Sequence, residues 1–275
     1  MDELYVMARR VLLDALEAMG EHREATILVG AQAIYVHTGD AEIGIAEYTT
    51  DADIALDPGL LGEIPPLEQS LERAGFYRSS NAVGIWKTRR KTAQSNEVEV
   101  QVDLLVPSTV SSGTGRRAAR LSGHGVNVAR KVDGLEGVLV DQALHRIDSL
   151  EPDQDSRVVL IKVAGPGALL VSKLFKIQER RGSARASDKD ALDVLRILQA
   201  VPTEDLANRV KAIVADVRSN ASGTRAMKLL AEFFASRGGD GSFMAARAAQ
   251  PFVDEIQIRL SCEVLAGELL RAVGS

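Results

Sequence analysis

Apolar and polar residues divide the chain into an amino-terminal part with short strand-like runs and a carboxyl-terminal part with helical spacing. The apolar run at 26–29 predicts a short buried strand, and nearly perfect alternation over 98–106 predicts a longer strand. From Pro166 the apolar positions recur at helical intervals nearly to the end. The pattern predicts an α/β (α+β) fold, in which residues 1–164 form the α/β domain and residues 165–275 form a helical domain.

The same spacing predicts the remaining elements. We expect helices over 3–20, 32–37 and 66–74 and from 187, strands over 51–56, 83–88 and 157–163, a loop rich in Gly, Ser and Thr over 108–115, and helix breaks at 182–183, 201–202, 220–223 and 238–241.

Two carboxylates lie two residues apart in one predicted strand. Strand side chains alternate between faces, so Asp51 and Asp53 share one face while Ala52 and Ile54 occupy the other. Like charges about 7 Å apart repel each other in a dry environment, and a divalent cation removes that conflict. Mg²⁺ prefers such hard oxygen ligands. The alternative is a solvated strand edge that binds no metal.

Two further features accompany the aspartate pair. Upstream, the strand at 26–29 ends at Gly30-Ala31 before a helical segment, and a strand, a glycine and a helix bring backbone N–H groups together where a phosphate can bind. Downstream, the alternating strand carries Glu99, Gln101 and Asp103 on one face. The sequence therefore predicts a third acid near the end of a second strand.

A glycine turn, an Asp-x-Asp strand and a later strand aspartate resemble the catalytic core of the DNA polymerase β-like nucleotidyltransferase superfamily. The resemblance implies a small mixed sheet, a nucleoside triphosphate (NTP) substrate and a two-metal mechanism with Mg²⁺ or Mn²⁺. Carried over by position, the catalytic metal ligands are Asp51, Asp53 and Asp103, and Glu99 is the competing choice for the third. Gly30 and Ala31 would form the nucleotide-binding turn that this core has at the corresponding position.

The second half narrows the resemblance. The order of features resembles the AbiEii-type nucleotidyltransferases, which include toxins of type IV toxin–antitoxin systems. These features are a helix containing Lys173 and Lys176, an Arg-Arg pair, a short loop, and a helix with Asp190 near its start. The resemblance covers roughly residues 25 to 200. It implies that Lys173 and Asp190 are catalytic and that Lys173 and Lys176 bind nucleotide. Alternatively, Lys173 is a surface lysine without a catalytic role, and Asp190 only stabilises the helix dipole. Asp193 could also take the role assigned to Asp190.

Two features depart from the family pattern. The turn usually reads Gly-Gly or Gly-Ser, whereas this chain has Ala31, which lacks a hydroxyl that could bind a phosphate. The segment between the turn and Asp51 is also longer than in the family pattern, and residues Thr38 to Glu47 are read as an insertion in it.

Composition restricts the function classes. The net charge of −5 excludes a protein that coats nucleic acid indiscriminately, and the single cysteine excludes an internal disulfide. We find no signal peptide pattern and no apolar run of the roughly 20 residues that span a bilayer, so we expect a cytoplasmic protein without a membrane partner. Basic clusters lie at 87–91, at 116–120 with 130–131, and at 180–185. Their convergence near Asp51 would favour RNA.

The leading interpretation is a nucleotidyltransferase that modifies an RNA acceptor, namely the 3′ end of tRNA, as a toxin with a separate antitoxin partner. Both the acceptor and the toxin role come from the resemblance. Two alternatives stay open: a nucleotidyltransferase acting on a small molecule or a protein side chain, and a non-catalytic nucleotide-binding module.

Overall fold

The computed structural model describes residues 3–39, 49–78, 82–111, 117–182 and 188–274. The helices are α1 Glu3–Ala18, α2 Gly30–Thr38, α3 Leu67–Arg73, α4 Pro166–Arg180, α5 Asp188–Ala200, α6 Thr203–Ala215, α7 Asn220–Phe234, α8 Asp240–Ala249 and α9 Glu255–Val273. The strands are β1 Thr26–Val29, β2 Asp51–Leu56, β3 Tyr77–Arg78, β4 Ile85–Lys91, β5 Glu97–Pro107, β6 Arg130–Val132, β7 Gln142–Asp148 and β8 Val158–Ala164. Within these ranges, no helix combines the length and apolar character that crossing a membrane requires.

The strands form one mixed sheet in the order β3-β4-β5-β2-β1-β8-β7, and β6 pairs with β5. The central strand β2 is antiparallel to β1 and parallel to β5, whereas β4 is antiparallel to β5. Helices α4 to α9 follow the last strand, β8, and form the carboxyl-terminal part of the chain. The prediction of an α/β (α+β) fold with a mixed sheet and a helical carboxyl-terminal region is therefore confirmed.

The two faces of the sheet differ in polarity. Ala52 and Ile54 of β2 are buried, as are Val102 and Leu104 of β5. The amphipathic helix α1 packs against these two strands. The opposite face carries the polar residues of β2 and β5, and the alternation predicted from the sequence produces this division.

The chain divides into two compact units. The first comprises Met1–Gln32, Glu47–Val132 and Ala143–Val163 and contains nearly the whole sheet with α1 and α3. The second comprises Ala33–Ala46, Asp133–Gln142 and Ala164–Ser275 and contains α4 to α9. Helix α2 begins in the first unit and continues in the second. The assignment of domains to 1–164 and 165–275 stays a prediction.

Two predicted boundaries were wrong. Strand β4 begins at Ile85 rather than at 83, because Gly84 takes a left-handed conformation with a φ of 72°. Helix α7 runs through the break predicted at 220–223. Gly223 is a close-packing position there, since a Cβ would lie 3.0 Å from a methyl group of Val214.

Several predictions fall partly outside the described residues. These are the insertion at 38–47, the loop at 108–115, the basic clusters at 116–120 and 180–185, the helix break at 182–183, and the start of the helix predicted from 187, since α5 begins at Asp188. The described start of the loop is a short 3₁₀ turn at Ser108–Val110.

Candidate active site

The three predicted carboxylates lie on adjacent strands of the first unit. In the parallel pairing of β2 with β5, Asp53 is the partner of Asp103 and Asp51 is the partner of Gln101. Partner residues in neighbouring strands project from the same face about 4.8 Å apart, and Asp51 and Asp53 are about 7 Å apart along β2. The sheet therefore brings Asp51, Asp53 and Asp103 together on its polar face.

Gly30 lies directly beneath the Asp53 carboxylate. Strand β1 pairs Val29 with Asp53, and the next residue, Gly30, turns the chain into α2 with a φ of 72°. A Cβ on Gly30 would lie 2.1 Å from Asp53 Oδ2, which is closer than two heavy atoms that are not bonded can approach. Only glycine combines this backbone conformation with this approach. The turn after β1 and the Asp-x-Asp strand thus form one compact arrangement.

Asp103 is the most enclosed of the three acids, with 6% of its surface exposed. Its Oδ1 accepts a hydrogen bond from Gln101 Nε2 at 2.6 Å, and its Oδ2 accepts one from Arg130 at 2.8 Å. Burial and the negative charges of Asp53 and Asp51 raise the pKa of Asp103 to about 7, although Arg130 and Gln101 act in the opposite direction. The site therefore holds more negative charge than Arg130 compensates.

Asp51 is held at the start of β2 by residues that the sequence analysis did not select. Thr49 Oγ1 donates to Asp51 Oδ1 at 2.5 Å. Gln32 Nε2 donates to the backbone oxygen of Asp51 at 3.2 Å, and Arg9 Nε donates to Gln32 Oε1 at 2.9 Å. Gln32 and Arg9 are both buried. The available signal in the sequence was a glutamine two residues after Gly30.

Glu99, the competing third acid, lies elsewhere on β5. It is four residues before Asp103, about 13 Å along the strand, and its partner is Arg89 of β4. Its carboxylate accepts from Lys87 at 2.8 Å and from the Tyr77 hydroxyl, and these hydrogen bonds hold its pKa below the ordinary value. The register favours Asp103 over Glu99 as the companion of Asp53.

The side chains of Asp51, Asp53 and Asp103 have the donor atoms that a hard divalent cation prefers. They offer carboxylate oxygens from two adjacent strands, which Mg²⁺ and Mn²⁺ prefer. Burial, and after it the negative charges of Asp53 and Asp51, raise the pKa of Asp103, and a cation would offset the effect of these charges. In the part of the chain that the structure describes, no three His, Cys, Asp or Glu side chains already have the arrangement of a metal site. Asp103 would have to exchange its contact with Arg130 for the ion. The metal-ligand assignment stays a prediction.

The second unit contains a separate buried cluster of charges. Lys173 Nζ of α4 lies 2.8 Å from Asp190 Oδ1 and 2.6 Å from Asp193 Oδ2 of α5. Burial acts to lower the pKa of Lys173, but the charges of Asp193 and Asp190 together raise it. Burial likewise acts to raise the pKa of Asp190, but Lys173 and the neighbouring cations lower it to about 2. Lys173 and Asp190 are therefore both charged at neutral pH.

Within this cluster the cations differ in exposure. The Lys173 side chain is 5% exposed, whereas those of Lys176 and Arg180 are 34% and 27% exposed and lie 3.5 Å and 3.2 Å from Asp190. Lys173 joins α4 to α5, and Lys176 and Arg180 are the cations that solvent reaches. The surface-lysine alternative for Lys173 is wrong. The catalytic and nucleotide-binding roles of these residues stay predictions, as does the role of the half-buried Ala31.

The comparisons with known proteins agree with the resemblance at the level of the family. A family model described as nucleotidyltransferase matches residues 9–219. The crystal structure of an antigenic nucleotidyltransferase-like protein from Paracoccidioides brasiliensis is similar with a TM-score of 0.40 and 15% identity, covering 82% of this chain and 93% of that chain. No curated protein is significantly similar in sequence.

Proposed function

Because the chain belongs to this nucleotidyltransferase family, we propose that it transfers a nucleoside monophosphate from an NTP to a hydroxyl of an RNA acceptor, with release of pyrophosphate, in a metal-dependent reaction. The observation that carries the proposal is the pairing of Asp53 with Asp103 beside the Gly30 turn. This arrangement offers hard anionic ligands next to a glycine turn, which a triphosphate and its metal ions require.

The residues of the first unit have distinct tasks in this proposal. Asp51 and Asp53 would hold the ion that accompanies the triphosphate, and all three aspartates would hold the ion nearest the acceptor. Bound Mg²⁺ or Mn²⁺ would neutralise phosphate charge and lower the pKa of the acceptor hydroxyl. The absence of a side chain on Gly30 makes room for the Asp53 carboxylate beside the turn, whose backbone N–H groups would bind a phosphate. Gln32 and Thr49 hold Asp51 in position.

The finer parts of the proposal rest on the resemblance to AbiEii-type enzymes. On that basis the acceptor is the 3′ end of tRNA, the protein is a toxin with an antitoxin partner, and Lys173, Lys176 and Asp190 contribute to nucleotide handling. Induced expression of the wild type should arrest growth, and Asp53→Asn should not. Normal growth with the wild type at equal protein levels would contradict the toxin role.

The direct test is transfer of radioactive label. The purified protein is incubated with each α-³²P-labelled NTP, Mg²⁺ and total tRNA, in parallel with Asp53→Asn. We expect label in the RNA band with the wild type and none with Asp53→Asn, whose amide cannot replace the charge of the carboxylate. Label on the protein itself or on small molecules would refute the RNA acceptor while retaining nucleotidyl transfer.

One observation favours the non-catalytic alternative. Both oxygens of Asp103 already accept hydrogen bonds, from Gln101 and Arg130, so this carboxylate has protein partners without a metal. In a nucleotide-binding module the label assay would give no product in any fraction, whereas calorimetry would still detect NTP binding. Product formation would exclude this alternative.

A further inference from the structure

The polar face of the sheet continues from the carboxylates to a basic strand near the sheet edge, entirely within the first unit. The register pairs Asp51 with Gln101, Gln101 with Lys87, and Lys87 with Tyr77. Paired residues project from the same face, so these four side chains form one row across β2, β5, β4 and β3. At about 4.8 Å per strand, the row extends about 14 Å from Asp51 to Tyr77.

Strand β4 adds further cations to this face. Lys87, Arg89 and Lys91 alternate with Trp86 and Thr88, which are buried on the opposite face. A cationic strand therefore lies one strand beyond the third acid, with β5 between it and β2. Convergence of the three basic clusters near Asp51 would favour RNA, and the register places one of them, at 87–91, on the same face as Asp51.

The ion pairs of these cations are exposed and exchangeable. Lys87 lies 2.8 Å from Glu99, with side chains 29% and 45% exposed. Arg89 lies 3.8 Å from Glu97, with side chains 62% and 59% exposed. Exposed pairs of this kind contribute little to stability and are screened by salt. Phosphate groups of a ligand can therefore replace the carboxylates as partners.

An aromatic ring and a groove lie at the outer end of the row. The Arg89 guanidinium carbon lies 5.8 Å from the centroid of the Tyr77 ring. Within the described residues, strand β3 pairs with β4 at Lys87 and Trp86. A shallow groove of about 430 Å³ lies at this edge of the sheet. It is lined by Tyr77 and Arg89 of the row, by Thr88 and Arg90 of the opposite face, and by Gly75. Cations beside an aromatic ring are the combination that binds single-stranded nucleic acid.

The order of the strands gives this surface a direction. The Gly30 turn follows β1 on one side of β2, and Asp103 and β4 lie on the other side. Phosphoryl transfer places the attacking and leaving oxygens roughly in line. If the triphosphate binds at the Gly30 turn, an acceptor must therefore approach from the side of β5 and β4.

We propose that Lys87, Arg89 and Tyr77, which we call the edge track, bind the single-stranded end of the RNA acceptor. Lys87 and Arg89 contact phosphates, and Tyr77 stacks on a base upstream of the reacting hydroxyl. The inference rests on the proposed function for its direction, and its test by binding does not depend on catalysis.

Binding is measured by fluorescence anisotropy with a labelled single-stranded RNA of 12 nucleotides between 50 and 300 mM salt. The test variant is Lys87→Gln/Arg89→Gln. The matched control is Arg146→Gln/Arg237→Gln, which also removes two cations from exposed ion pairs outside the edge track. Each lost phosphate contact on a single strand lowers the salt slope by about 0.7, so we expect the test variant to lose about 1.4 in slope and about 25-fold in affinity at 0.1 M salt.

Tyr77 is tested by two substitutions. Tyr77→Ala should weaken binding about tenfold because it removes a stacking ring. Tyr77→Phe removes the hydroxyl that donates to Glu99 but keeps the ring, so its affinity should stay within about twofold of the wild type. Equal loss in both variants would show that the ring does not stack on RNA.

The outcomes separate the edge track from the proposed function. The edge track is refuted if the wild type does not bind the oligonucleotide at any salt concentration, or if the test variant and the matched control bind alike. The proposed function fails independently if labelled NTP gives no product with any acceptor. If both hold, the test variant should raise the KM for RNA while kcat and the KM for NTP stay within about twofold.

Discussion

The contact between Gly30 and Asp53 leads to a sharp prediction for Gly30→Ala. A Cβ at this position would lie 2.1 Å from Asp53 Oδ2, and real Cβ atoms do not approach closer than 3.0 Å. The carboxylate or the turn must therefore shift by at least about 0.9 Å, the difference between these distances. A misplacement of about 1 Å in a catalytic arrangement costs on the order of 100-fold in rate.

A second glycine provides a matched control. Gly182, after α4, has a φ of 69°, close to the 72° of Gly30, and within the described chain a Cβ there would meet no atom within 4 Å. Alanine in the left-handed region costs about 1–2 kcal/mol at either position. Gly182→Ala should therefore lower the free energy of unfolding by about this amount and leave activity unchanged.

The assay compares both variants with the wild type. Urea titrations measure the free energy of unfolding, label transfer measures activity, and calorimetry with Mn²⁺ measures the carboxylate site without an acceptor. We expect at least about 100-fold lower transfer and weaker Mn²⁺ binding with Gly30→Ala alone. If Gly30→Ala transfers label within about threefold of Gly182→Ala, the position of Asp53 over the turn does not govern the chemistry, and the reasoning is wrong.

Further predictions concern the buried cluster and Arg130. Lys173→Met leaves the carboxylates of Asp190 and Asp193 without their shared ammonium, so the free energy of unfolding should fall by about 3–5 kcal/mol at pH 7.5 in urea titrations. This loss should shrink toward pH 5 as the carboxylates take up protons, and a constant loss would contradict the assigned charges. In the wild type the pKa of Asp190 is about 2, so its stabilising effect is complete above its ordinary pKa of 3.8 and is lost as the pH falls through 2. Asp190→Asn should therefore show a smaller loss of stability between pH 4 and 2 than the wild type. Arg130→Ala removes the cation that contacts Asp103 and should strengthen Mn²⁺ binding in calorimetry, whereas Asp103→Asn should weaken it; unchanged affinity in both would exclude Asp103 as a ligand.

The strands of the site could be predicted from the sequence because each strand shows a local pattern of polar and apolar residues. Alternation alone fixed the shared face of Asp51 and Asp53, and the apolar run before Gly30 fixed the strand that leads to the turn. The helical carboxyl-terminal region was predicted for the same reason, whereas the mixed sheet was expected from the family resemblance. Side-chain periodicity is visible without knowledge of which strands are neighbours.

What the sequence could not show depends on register and on distant partners. The choice between Glu99 and Asp103 needs the pairing of β2 with β5, which connects residues 50 positions apart, such as Asp53 and Asp103. Arg130 pairs with Asp103 only because β6 joins β5 after a long connection. Gly223 read as a helix break because close packing against Val214 leaves no mark in a single sequence.

The pairing of β1 with β8 affects the order of events during synthesis. Ile27 is the partner of Lys162, so 135 residues must be added after Ile27 before this side of β1 is covered. At 5–20 residues per second this takes about 7–27 s. During that interval the apolar strand β1 has an uncovered edge, which can pair with other chains. We therefore expect nascent chains that stall before β8 to aggregate.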